Sequence, residues 1–251
     1  MPEHVRLEAS DGVMQITLSR PEKKNALTRA MYAALVDGLD RAERDEAIRV
    51  VLLTGSGDSY SAGNDIADFR NAETAGGVPG GGATEFGHRI LRFPKPIVVA
   101  VNGLAVGIGA TMLLHCDIVY AAESARFRFP FVDLGLVPEL ASSLLLPRLA
   151  GYHRTAELFL LGRFFTSAEA REIGLVNRVL PPAELLPQAV EVTRAIAAKP
   201  VQAVAQTRAL LKGDLAPILA HKAREDALFA ERRASPEAQA IFAAFLARSS
   251  S

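Results

Sequence analysis

With one cysteine, Cys116, in 251 residues, the chain has no internal disulfide framework. No cysteine and histidine cluster has the spacing of a metal site either, so the expectation is a metal-free intracellular protein. Net charge is lacking as well, because 28 lysines and arginines balance 28 aspartates and glutamates. Nothing in that balance calls for nucleic acid or a membrane surface, and any anionic ligand must be held by a local patch. The first ten residues lack a basic stretch followed by an apolar one, and the C-terminal serines match no targeting signal, so the expected compartment is the cytoplasm. Only residues 97–114 approach a membrane-spanning length of apolar sequence. Asn102-Gly103 interrupts them, as do Gly107 and Gly109, and the expectation is strand, turn and buried helix. What is present is an ordinary globular composition, 49% hydrophobic and 22% charged, enough to bury a large core.

Two strand-like runs, 5–9 and 13–18, flank Asp11-Gly12, which is a hairpin signal. A polar loop follows, and Thr28 caps a helix to about Arg44 whose buried face carries Met31, Leu35 and Leu39. Residues 48–54, apolar from Val50 to Leu53, are expected to be a strand, leading through a small-residue corner at 55–65 into a short helix. The glycine-dense stretch within 71–84 is expected to be a mobile loop, with a helix from about 84 to 92. Strands are expected at 97–101, 118–121, 125–129 and 175–180, with Ser142 capping a helix toward Leu149. Further helices are expected at 155–161, 167–172, 182–198, 201–212, 217–233 and 236–248. The soft boundary near Lys199-Pro200 separates a core, 1–198, from a helical appendage, 199–251, suited to oligomerisation or a lid.

The strand at 97–101 also runs through a small-residue corner into a helix start, at Gly107-Ile108-Gly109. Such a corner leaves backbone N–H groups without intrahelical partners and turns the positive end of the helix dipole toward whatever lies in front. One corner alone is as well explained by close strand-to-helix packing. Two of them, about 45 residues apart, suggest a repeated β-β-α unit.

These segments carry a resemblance. Arg20-Pro21 with Asn25-Ala26-Leu27, Ser61-Ala62-Gly63-Asn64-Asp65, Ala100-Val101-Asn102-Gly103 with Gly107, Cys116-Asp117-Ile118, and Phe127 with Pro130 and Pro138 are similar to the crotonase, or enoyl-CoA hydratase/isomerase, superfamily. The likeness runs in order over about residues 5–180. It implies an α/β spiral of β-β-α turns with a helical C-terminal appendage, assembled as a homotrimer or dimer of trimers. It implies an acyl-CoA thioester as partner, coenzyme A being part of the substrate, with no separate cofactor. The thioester oxygen would lie between two backbone amides, which the resemblance places at Ala62 and Ile108. Lys23 and Lys24 stand where coenzyme A phosphates are met. Ala26, Ser61, Gly63, Asn64, Asp65, Ile66, Gly107, Thr111, Phe131 and Pro138 fall in the segments expected around the substrate.

The family's acids decide which reaction is open. Hydratases of this family resemble one another in using two glutamates, and at those two positions this chain has Thr111 and Phe131, neither a general base at neutral pH. Glu139 instead matches the glutamate of peroxisomal-type enoyl-CoA isomerases, which implies migration of a 3-enoyl double bond to the 2-position. Burial beside Val137 and Leu140 is expected to raise its pKa. By itself, a lone glutamate here serves equally well as an arginine partner or helix cap. Asp65 is expected to cap its short helix, and His88, Cys116 and Asp117 to be structural, with His88 placed where it could also face the pocket. Other enolate chemistry on the same scaffold and a non-catalytic acyl-CoA binder stand as the alternatives.

Overall fold

The computed structural model describes residues 4–70 and 81–249. The hairpin forms where Asp11-Gly12 marks it, with β1 (Val5–Ser10) and β2 (Val13–Leu18) antiparallel and Ser10 opposite Val13. Both turn residues take positive φ, 51° and 78°, the backbone that matches a tight turn to the strand twist. After a single 3-10 turn, Thr28 caps α1 (Arg29–Arg44) by accepting the amide of Met31 at 3.3 Å. Met31, Leu35 and Leu39 are buried as their spacing requires, and Tyr32 joins them.

Three strand pairs follow, each with its second strand only a few residues after the first. They are β3 (Val50–Gly55) with β4 (Ser59–Ser61), β5 (Ile97–Val101) with β6 (Leu104–Val106), and β7 (Ile118–Ala122) with β8 (Arg126–Arg128). With β9 (Phe165–Thr166) and β10 (Arg178–Leu180) they build two sheets. The larger is ordered β1-β2-β3-β5-β7-β10 and the smaller β4-β6-β8-β9. Each pair gives one strand to each sheet, and successive turns stack in parallel register, Val51 beside Ile97 and Val98 beside Ile118. This is the expected spiral. β4 and β6, at three residues each, show in the sequence only as corners, because so short a strand has no period to detect. The strand expected at 175–180 is shorter too, since Leu175 and Val176 are buried in the turn before β10.

Among the helices are α2 (Ile66–Arg70), α3 (Gly81–Arg92) and α4 (Ile108–Thr111), the last continuing as a 3-10 turn to His115. The apolar run 97–114 is thereby divided among two strands and two short helical turns. Among the described residues no helix is long and apolar enough to cross a membrane. Most of the glycine-dense loop, 71–80, lies outside the described residues. Its last glycines belong instead to α3: a β-carbon at Gly82 would stand 2.8 Å from that of Tyr32, so glycine there lets α3 close on α1.

Beyond these run α5 (Ser142–Ala150), α6 (Tyr152–Leu161), α7 (Ser167–Glu172), α8 (Pro182–Ala197), α9 (Val201–Lys212), α10 (Ala216–Ala234) and α11 (Pro236–Ser249). The C-terminal helices share the core of the spiral: Ala238 and Phe242 of α11 are fully buried in the same apolar cluster as the sheets. Polar contacts fix them. Arg208 donates to both carboxylate oxygens of Asp117 at 2.9 Å and to the Phe93 carbonyl at 2.7 Å, and Lys212 donates to the His115 carbonyl at 2.6 Å.

The turn between β5 and β6 is the tightest passage. A β-carbon at Gly103 would fall 1.8 Å from the carbonyl oxygen of Asp58, which is backbone and cannot swing aside. Gly103→Ala should therefore cost roughly 3 kcal/mol, or ~6–12 °C in Tm for a chain of this size. Thermal unfolding followed by circular dichroism checks this, and an unchanged Tm would mean that the turn repacks freely.

Candidate active site

The two corners meet because glycine stands at both contact points. At Gly63, where φ is +91°, a β-carbon would lie 2.8 Å from the Val106 carbonyl oxygen, and at Gly109 one would lie 2.7 Å from the Ser61 carbonyl oxygen. Hydrogen bonds then lock the first corner. The Ala62 amide donates to the Lys24 carbonyl at 2.9 Å, the Gly63 amide to Ser61 Oγ at 3.2 Å, and the Asp65 amide to the Leu27 carbonyl at 3.0 Å. The expectation that Ala62 supplies a free donor is therefore corrected, since Lys24 already takes its N–H. Asn64, between these locked residues, has no acceptor for its amide among the described residues. In the second corner Gly107 donates to the Arg128 carbonyl, and Ile108, first residue of α4, likewise has no acceptor for its amide among the described residues.

Asn64 and Ile108 line one cavity of about 260 Å³ together with Glu139. Leu140 lies beside them, Ala83 and Thr84 of α3 add to the wall, and α10 closes it with Lys222, Asp226, Phe229 and Arg233. Glu139 keeps some accessible surface, but its carboxyl sits deep among protein atoms. Burial accordingly pushes its pKa up to about 7, the hydrogen bond from the Thr111 hydroxyl opposes that rise, and the negative charge of Glu225 adds to it. The Lys222 ammonium also opposes the rise while donating at 2.5 Å to Asp226, whose own charge adds to it. Tyr32 donates its phenol to the Asn64 side chain at 2.5 Å, and burial followed by the charges of Glu139 and Asp68 holds that phenol protonated, well above its ordinary pKa.

The backbone that carries Glu139 is strained immediately after it. Leu140 and Ala141 take φ of 58° and 56°, a left-handed conformation that costs a residue with a side chain about 1–2 kcal/mol each. Ser142, expected as the cap of α5, is its first helical residue, and Ala141 at the cap position offers no side-chain acceptor. The cap comes from α10 in the form of Glu225, which accepts the amide of Ala141 at 2.5 Å. On the other side the carbonyl of Leu140 is held by His115 Nε2 at 2.8 Å. Burial pushes the His115 pKa down to about 4, so the ring is a neutral donor there.

Of the site residues expected from sequence, Asn64, Ile108 and Glu139 come together at the cavity, and Thr111 reaches it through Glu139. Ser61, Gly63 and Gly107 shape the corners, and Lys23, Lys24 and Ala26 form the polar turn beside the first one, both lysines exposed. Asp65 caps α2, accepting the amides of Ala67 and Asp68, and pairs with Arg20 at 2.7 Å. Ile66 packs against the core. Phe131 and Pro138 do not line the cavity; Phe131 is buried edge-on to Phe159, with ring centres 6.1 Å apart. His88 is not among the lining residues and contacts Arg92 through Nδ1 at 3.1 Å, while Cys116 and Asp117 have the structural roles expected. Tyr32, Lys222, Glu225 and Asp226 were missed, although the last three share one face of α10 at helical spacing.

The sequence model of the enoyl-CoA hydratase/isomerase family matches residues 8–248. An enoyl-CoA hydratase/isomerase structure from Pseudoalteromonas atlantica superposes with a TM-score of 0.92 at 42% identity, covering 98% of both chains. The 1,2-epoxyphenylacetyl-CoA isomerase of Escherichia coli is 39% identical over 80% of this chain and 78% of its own length. Enoyl-CoA delta isomerase 2 of Rattus norvegicus is 40% identical over 70% of this chain, a match spanning 46% of that longer protein. By sequence and by fold, the chain belongs to the enoyl-CoA hydratase/isomerase family and is a crotonase-superfamily, acyl-CoA-processing enzyme.

Proposed function

We propose that this enzyme moves the double bond of a 3-enoyl-CoA to the 2-position, with Glu139 as its one proton carrier. The observation that carries the reading is a buried carboxyl with a pKa near neutrality and no salt bridge among the described residues, lining one cavity with Asn64 and Ile108. Glu139, ionised, takes a proton from C2. The electron pair passes into a dienolate whose charge rests on the thioester oxygen, and that oxygen accepts from the two amides. Glu139 then returns the proton at C4, and the double bond closes between C2 and C3. Preorganised donors of this kind are each worth roughly 10²-fold or more in rate. Lys23 and Lys24, exposed beside the first corner, are suited to the phosphates of coenzyme A.

Hydration is disfavoured by the same residues. It would need a second acid or base near the first, and Thr111 spends its hydroxyl on Glu139 while Phe131 is packed into an aromatic cluster. Glu139→Gln should abolish turnover and leave acyl-CoA affinity within about twofold, since the change removes proton transfer and keeps the shape. The test is conjugated-thioester absorbance with a 3-enoyl-CoA and, separately, water addition to a 2-enoyl-CoA. Conjugation with the first and silence with the second is the expected result, and water addition would overturn the reading.

The pH dependence follows from the sign of the shift. A base must be ionised to act, and burial lifts the Glu139 carboxyl to about 7, so kcat/KM should fall as pH drops through that value. Thr111→Val removes the bond that favours the ionised form, and the acid limb should move to higher pH, read from kcat/KM profiles of both proteins. An unmoved limb would separate Thr111 from the proton transfer.

For assembly we propose a homotrimer or a dimer of trimers. The support is exposed apolar surface on α6 and α9, where Tyr152, Leu160, Leu161, Leu210 and Leu211 are all more than 60% accessible. Light scattering should return three or six times the mass of one chain, and a monomer would contradict the proposal.

A further inference from the structure

The catalytic carboxyl proposed above is followed at once by two left-handed residues, and what holds them comes from a distant part of the chain. Glu225 on α10 is 5% exposed. One of its carboxylate oxygens accepts the Ala141 amide at 2.5 Å. The other accepts the Ser143 amide at 2.9 Å and the Ser143 hydroxyl at 2.5 Å. Because that hydroxyl spends its proton on Glu225, its oxygen is left to accept from His221 Nε2 at 2.8 Å. The N-terminus of α5, which has no side-chain cap of its own, is thus closed by one buried carboxylate.

We propose that Glu225 is a positioning residue for Glu139: by capping α5 from α10 it fixes the Leu140-Ala141 turn that sets the Glu139 carboxyl at the cavity. This rests on the Glu139 proton transfer proposed above. A cap serving α5 alone would need only the helix amides, whereas Glu225 binds the amide of the strained residue itself, two positions from Glu139. Residues held in left-handed conformations persist where their surroundings over-determine them, and here Glu225 and His115 grip the turn from opposite sides. Charge couples the two acids as well. Glu139 is faced by Glu225, Lys222 and Asp226 from α10, by Thr111 from α4 and by Tyr32 from α1, and Glu225 opposes its ionisation.

The test compares Glu225→Gln, which keeps the size and removes the charge, with Glu225→Asp, which keeps the charge and draws it back by one methylene. The readouts are Tm, kcat and KM, and exchange of the C2 proton of a saturated acyl-CoA in D2O, which needs the base but not double-bond migration. Titration of Glu139 is followed by 13C NMR of glutamate-labelled protein, assigned by difference from Glu139→Gln.

Both variants should fold and lose kcat and exchange rate by on the order of tenfold to a hundredfold, with KM within about threefold. The Glu139 titration should move to lower pH in Glu225→Gln and stay close to wild type in Glu225→Asp. Unchanged rates with an unmoved titration would overturn the proposal. So would losses that appear in KM rather than kcat, or the failure of both variants to fold, which would make Glu225 a residue of stability alone. Were the wild type to show no proton exchange, the Glu139 mechanism would fall, and the NMR titration would still report whether Glu225 acts on Glu139.

Discussion

Backbone-to-backbone contact between the two corners is the constraint on which the site depends. Gly63 against the Val106 carbonyl and Gly109 against the Ser61 carbonyl leave no room for a side chain at either place. That contact sets the Asn64 and Ile108 amides on one cavity wall. It needs the spiral beneath it, because the corners belong to successive turns whose inner strands, β3 and β5, are paired in the large sheet. In the proposed reaction the donors are main chain, so side-chain identity there matters little and an isoleucine can begin α4 without disturbing them.

Facing this fixed electropositive wall is a carboxyl that makes no salt bridge among the described residues. Lys222 favours its ionised form from a distance, while the Lys222 ammonium itself is engaged by Asp226. What Glu139 receives is a hydroxyl hydrogen bond from Thr111. The result is an acid balanced near neutrality, able both to take and to return a proton. Burial sets most of this balance, and α10 adds the charges of Lys222, Glu225 and Asp226 from one face, so the C-terminal helices border the cavity as well as the core.

Much of the fold could be read from the chain because its signals are local. Asp11-Gly12 specifies its own turn, Thr28 caps its own helix, and the fully apolar strands announce burial on both faces. The three-residue strands β4 and β6 could not be found, having no periodicity to detect and drawing their pairing from strands about 45 residues away. The same distinction runs through the site. Glu139 and Ile108 were legible from motif position, but which amide of the first corner is free depends on the Lys24 carbonyl lying 2.9 Å from Ala62, a tertiary fact. Glu225 was invisible for a similar reason: 84 residues separate it from the amide it caps.

The account stands on one carboxyl carrying one proton between two carbons, and a transfer experiment reads that directly. A 3-enoyl-CoA deuterated at C2 would be converted in ordinary water under single-turnover conditions and the product analysed for deuterium at C4. The account predicts label at C4 with the native enzyme and none with Glu139→Gln. Conjugated product bearing no label at C4, or transfer that survives in the glutamine variant, would contradict it.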